Sequence, residues 1–283
     1  MKNAFCWLAV AVLVSGCAAT PPAATPSAPR GSALAYSATA PTTVSYQFAD
    51  SSGFVIEGGA IGAIRVSVRT SGIVDAAQTP KGSDVELRLK LVDFDGSFAN
   101  SATGSTTNAT ETDVQGEAVM TLTPRGELTI NQLPTTSRAA QAVGVASGFF
   151  RRFTIRLPRG PVQRGATWID TVSVSEETAG TRSAVTDIVT ATWARDTVVN
   201  GRTLHVITHN TQRTLQVSGT SEGVEIAQKL TGPATGYTLW DAQRGVIAER
   251  FETTDLSGSF DLPAMGLTGL PVRASGSGRL TLR

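Results

Sequence analysis

His205 and His209 are the two histidines of this 283-residue chain, and their spacing of four decides what chemistry they can do. On a helix that spacing puts both imidazoles on one face and suits zinc. On a strand they share a face with Ile207 but stand about 13 Å apart, too far to hold one ion. Val206, Ile207 and Thr208, just after the turn pair Asn200-Gly201, favour the strand, so both are expected on a strand surface. Glu176 and Glu177 would point to opposite faces of a strand, and Glu111, Asp187 and Glu225 stand alone, so the acids read as solvated faces rather than a hydrolytic pair. A site built from carboxylates would need folding to assemble it.

Serine chemistry lacks its setting, because neither a Gly-x-Ser-x-Gly elbow nor a Ser-x-x-Lys pair stands in a plausible context, which for the elbow is a sharp strand-to-helix turn. Gly276-Ser277-Gly278 reads as a loop before the last strand. Asp93-Phe94-Asp95-Gly96 lacks the later oxygens and distal glutamate of a calcium loop and reads as a turn. Gly58 to Ala63 is glycine-rich without the lysine of a phosphate loop, and is expected as a loop or bulge. The expectation is a non-enzymatic protein with no cofactor and no metal.

Cysteine chemistry points elsewhere. Lys2 supplies a positive start, and the apolar run from Ala4 to Val14 is shorter than the roughly 20 residues of a spanning helix, which makes residues 1–16 an export signal. Val14-Ser15-Gly16-Cys17 resembles the bacterial lipobox. The resemblance implies cleavage before Cys17, a diacylglyceryl thioether on its sulfur and acylation of the new amino terminus. Burial of acyl chains contributes about 0.8 kcal/mol per methylene, enough for stable anchoring when several are present. Ala18 replaces the aspartate that retains lipoproteins in the inner membrane, so the expected location is the outer membrane, facing the periplasm. Cys6 leaves with the signal and Cys17 carries lipid, so no thiol remains for a disulfide or a nucleophile. Removing Lys2 leaves 23 basic against 23 acidic side chains, a balance that argues against a nucleic-acid partner.

Positioning these groups falls to the long segment beyond Cys17. Residues 17–43 are rich in Ala, Pro and Thr and read as a tether. Residues 44–283 read as a β domain, either whole or as two similar halves divided near 135–160. In Val85-Glu86-Leu87-Arg88-Leu89-Lys90-Leu91, apolar and charged residues alternate with period two, as in a half-buried antiparallel strand. Similar runs occur from Val44, Ile64, Ala118, Leu128, Trp168, Val185, Leu204, Thr214, Tyr237, Val246 and Arg279. Asn200-Gly201, Pro124-Arg125-Gly126 and Gln243-Arg244-Gly245 should close hairpins. The first of the last two turns comes after Gly116–Leu122 and the second after Gly236–Trp240, an echo about 120 residues apart. Thr136 to Phe150 is the one helical stretch, weakened by Gly144 and Gly148.

Leu157-Pro158, Pro161-Val162, Gly165-Ala166-Thr167-Trp168, Leu239-Trp240-Asp241 and Arg244-Gly245-Val246 are similar to short motifs of a poorly characterised family of bacterial lipoproteins. The resemblance implies a curved half-barrel like that of periplasmic lipoprotein carriers, although the apolar helix those carriers lay across the concave face is matched here only by Thr136 to Phe150. The expected fold is therefore all-β and mainly antiparallel, a curved half-barrel or a sandwich, with one or two short helices. The expected function is binding of a hydrophobic ligand on a concave β surface, with Phe149, Phe150, Trp168, Trp193 and Trp240 as candidate ligand contacts. The alternative is a structural lipoprotein that docks an envelope complex.

Overall fold

The computed structural model describes residues 31–58, 62–145, 147–178, 180–221 and 224–283. The expected signal, the lipobox-like stretch with Cys17, and Gly59 to Ile61 of the glycine-rich stretch lie outside them. Fourteen strands run in chain order among the described residues: β1 (Thr42–Glu57), β2 (Ala63–Lys81), β3 (Asp84–Asn100), β4 (Ser105–Thr110), β5 (Val114–Gln115), β6 (Ala118–Leu122), β7 (Leu128–Gln132), β8 (Thr135–Thr136), β9 (Thr167–Thr178), β10 (Thr181–Val199), β11 (Arg202–Ser221), β12 (Val224–Asp241), β13 (Val246–Leu262) and β14 (Leu267–Leu282). Two short helices, α1 (Arg138–Ala142) and α2 (Ser147–Arg151), separate β8 from β9.

One antiparallel sheet runs β7-β6-β3-β2-β1-β14-β13-β12-β11-β10-β9, with β4 beside β3. Its centre is the pairing of the first and last long strands, from Tyr46 opposite Leu282 to Ile56 opposite Val272. Each arm then meanders outward through hairpins. The sheet curls into a half-barrel, and its ends approach each other where Arg125, in the β6–β7 turn, reaches Asp170 of β9 at 3.3 Å. The segment after α2 fills that seam: Leu157 N donates to Arg125 O at 2.9 Å, and Ile155 N donates to the Tyr36 hydroxyl at 2.7 Å.

Curvature this strong needs local relief, which bulges and close backbone approach provide. Register shifts occur at Ile73/Val74, Trp193/Arg195 and Leu239/Trp240. At Gly236 a Cβ would collide with the carbonyl oxygen of Phe251 on the neighbouring strand, so no side chain fits.

Several local expectations change. The single helix from Thr136 to Phe150 is two: Gly144 takes φ 85 after α1, a left-handed conformation that ends the first turn of helix. Part of the proposed tether is structural, since Leu34 and Tyr36 are buried and Ser32 bridges Val162. Asp93 to Gly96 is not a turn but part of β3, where Phe94 pairs with Gly72. Gly276 to Gly278 is not a loop but part of β14, paired with Asp50 to Ser52.

One end of the hollow is filled. Phe149 of α2 packs against Phe48 of β1 (centroids 5.2 Å), Phe94 of β3 (6.3 Å) and Phe150 (5.1 Å). Trp240 meets the edge of the buried Tyr36 ring at 4.8 Å. A second, smaller cluster of Ile56, Leu230, Leu256 and Val272 lies toward the other end.

Candidate functional site

Alternation along each strand sends every second side chain into the hollow, and beyond the filled end these become charged. Asp50 comes from β1, Arg250 and Glu252 from β13, His209 and Arg213 from β11, and Asp187 from β10. The register places glycines among them. Gly278 pairs with both Asp50 and Glu252, and Gly236 pairs with both His209 and Glu252. A Cβ at Gly278 would strike the Asp50 carboxylate, and one at Gly236 would lie 2.9 Å from His209 Nε2. Bare backbone thus leaves room for a belt of long polar side chains.

Arg213 is the hub of the belt. Its Nε and Nη2 donate to the two Asp187 oxygens, each at 2.8 Å, the bidentate fit of guanidinium to carboxylate. Its Nη2 also lies 3.1 Å from Glu252 Oε1. Arg250 reaches Glu252 Oε2 at 2.8 Å and donates to the Thr154 carbonyl at 2.9 Å. His209 Nε2 stands 3.4 Å from Glu252 Oε2, close enough for attraction but without the alignment of a hydrogen bond. Burial alone would raise the Glu252 carboxyl, yet Arg250, His209 and Arg213 together hold it well below the usual range. Desolvation likewise opposes the charge on Arg213, and Asp187 with Glu252 more than offsets it. Arg152, next after α2, pairs with Asp50 and stacks 4.3 Å over Phe149. Burial, reinforced by the nearby Arg250 cation, pulls its pKa down to about 10, which leaves it charged at neutral pH.

Beyond the belt opens a groove of about 680 Å³. Val172, Val174, Val185, Val189 and Leu215, from β9 to β11, and Phe54 from β1 contribute apolar walls. Arg151 and Arg156 line it beside the seam, where Arg151 Nε and Arg156 Nη1 are buried with no hydrogen-bond partner among the described residues.

The five aromatic side chains named from sequence are not in the lining of this groove. Phe149, Phe150, Trp193 and Trp240 belong to the main core, with Trp168 packed against it. Trp168 Nε1 donates to the Arg156 carbonyl at 3.3 Å. The histidines part company: His205 Nδ1 lies 2.7 Å from Asp196 Oδ1, which also accepts from Trp193 Nε1 at 2.9 Å. His209 is not a surface residue, its side chain being only 8% exposed. Asp187 is not solvated either, because Arg213 clamps it. Among the described residues no group of three or more His, Cys, Asp or Glu is placed to hold a metal.

Sequence reasoning missed the belt, although a signal existed. Asp187 sits between Val185 and Val189 in the inward register, and Arg213 stands two residues from Leu215 in the same register. A charge at an apolar position of a period-two strand is a burial conflict that a partner must resolve.

Fold and site together define a curled antiparallel half-barrel with one covered end and one apolar groove fenced by ion pairs. No protein-family model matches the chain, and no curated protein matches it.

Proposed function

We propose that this is a lipid-anchored cell-envelope protein whose half-barrel binds a hydrophobic ligand in the groove. The carrying observation is the uncovered apolar wall around about 680 Å³. That volume falls within the roughly 300–1,000 Å³ typical of sites that bury a small ligand. The acids nearest the wall are engaged with arginines, which supports binding rather than acid catalysis as the role. The lipobox supports an anchor on Cys17, directed to the periplasmic face of the outer membrane. Among the described residues no helix is long and apolar enough to cross a membrane.

The ligand reading is tested by titrating a neutral, polarity-sensitive dye into the full chain kept unlipidated by Cys17→Ser. Saturable emission at micromolar protein is expected; its absence removes the reading. The anchor is tested by the intact mass of membrane-extracted protein, where a triacylated Cys17 is expected and an unmodified thiol contradicts it.

A second reading is docking of an envelope protein along β9, an end strand of the sheet. Ile169 of β9 and Ile188 of β10 favour it, being 69% and 48% exposed. Ile169 pairs with Thr190 and Ile188 with Thr171, so the two lie diagonally on one face. Replacing both by threonine would abolish capture of such a partner while leaving dye binding unchanged.

A further inference from the structure

The groove is apolar along its walls but not at its seam, and the unused polar atoms there are all donors. Most charges of the belt are engaged: Arg213 with Asp187 and Glu252, Arg250 with Glu252 and the Thr154 carbonyl, Arg152 with Asp50. Arg151 and Arg156 differ. Each lines the groove and each keeps a buried N–H without an acceptor among the described residues, at Nε and Nη1 respectively. Arg156 Nη1 comes only within 4.0 Å of Glu127, a side chain 51% exposed to water. Arg151 faces Glu176, yet burial, reinforced by the neighbouring Arg156 cation, lowers its pKa despite that carboxylate. A buried donor left unmade costs about 1–3 kcal/mol, and two like charges add to that cost. An acceptor carrying negative charge between the two guanidiniums would relieve both.

We propose that the groove takes a long-chain carboxylate, with its head between Arg151 and Arg156 and its chain along Val172, Val174, Val185 and Leu215. This rests on the ligand-binding reading of the groove and deepens it by naming the class of ligand. Glu176 and Glu127 nearby already offset part of the basic charge, which favours a single negative charge over a doubly charged phosphate. A planar carboxylate also matches the guanidinium fork.

The test uses the unlipidated full chain and measures affinities for palmitate, hexadecanol and hexadecyl phosphate by isothermal titration, in wild type and in the double variant Arg151→Gln/Arg156→Gln. Palmitate should bind at least tenfold more tightly than hexadecanol in wild type. The double variant should lose about tenfold for palmitate, the loss of one charge-assisted contact, and much less for hexadecanol. A wild-type circular dichroism spectrum and melting curve show that the variant is folded, and Arg151→Lys/Arg156→Lys should restore part of the loss. Equal affinity for acid and alcohol overturns the head-group assignment while the groove stands as an apolar site. Tighter binding of hexadecyl phosphate than palmitate overturns the carboxylate. Binding of none of the three removes the ligand reading itself.

Discussion

The two ends of the same strands teach different lessons. Toward the ends where β1 begins and β2 turns into β3, the hollow is closed by Phe149, Phe150 and Phe153 and by the Leu34–Tyr36 segment, and thirty buried apolar residues form one cluster. Toward the other end the corresponding cluster contains four, and valines of β9 and β10 face open space instead. The same long strands run through both ends, so the difference lies in what covers them. The segment between β8 and β9 is long enough to plug one end only, and the ion-paired belt marks the limit of its cover. The filled end holds most of the buried apolar packing, whereas the open end leaves apolar wall uncovered.

This contrast is sharpened first by substitutions that remove large side chains from the filled end. Phe48→Ala deletes a ring buried against Phe94 and Phe149, and should cost about 3–5 kcal/mol in urea unfolding. A loss below about 1 kcal/mol would break the comparison. At the boundary, Glu252→Gln leaves Arg213 and Arg250 short of a negative partner and should cost about 3 kcal/mol at pH 7. Its sign with pH is fixed. The folded carboxyl titrates well below 4.5, so its stabilisation is complete above about that pH and is lost as pH falls through the lower folded value. The wild-type urea midpoint should therefore drop below about pH 4.5 more steeply than that of the variant, as equilibrium unfolding at successive pH values would reveal.

Gly236→Ala probes the bare backbone that makes the belt possible, and the clash with the Phe251 carbonyl and His209 should cost about 2 kcal/mol. Thermal unfolding of that variant, compared with a glycine-to-alanine change at the open turn position Gly160, separates packing from backbone entropy. The smallest effect belongs to the open end. Val185→Ala should cost about 1 kcal/mol or less, because its side chain meets empty groove on one side; an effect as large as that of Phe48→Ala would show that the groove is packed in solution.

Much of this fold was legible from local pattern. The alternation of Val85 to Leu91 gives β3, and Asn200-Gly201 closes the hairpin in which Val199 pairs with Arg202. Strand lengths were not legible, because glycine and proline weaken or interrupt strands by local propensity, yet Gly72, Gly232 and Pro233 pair inside them. The central β1–β14 pairing joins residues more than two hundred positions apart, and no local propensity encodes it. The site was less legible still. Arg213, Asp187 and Glu252 belong to three strands and meet only through long-range register, Asp187 opposite Arg213 and Glu252 facing them across the bare backbone of β12. Large rings suit both cores and pockets, and here α2 carries Phe149 and Phe150 into the core while strands β10 and β12 carry Trp193 and Trp240 there.

The central claim, that the open end is a ligand site, is tested most directly by denaturing membrane-extracted protein and identifying by mass spectrometry any small molecule it releases, in wild type and in Val185→Trp, whose indole would fill the groove. A long-chain molecule near one per protein in wild type and absent from the folded variant is the predicted result. Release of nothing from either, or of the same amount from both, would contradict it.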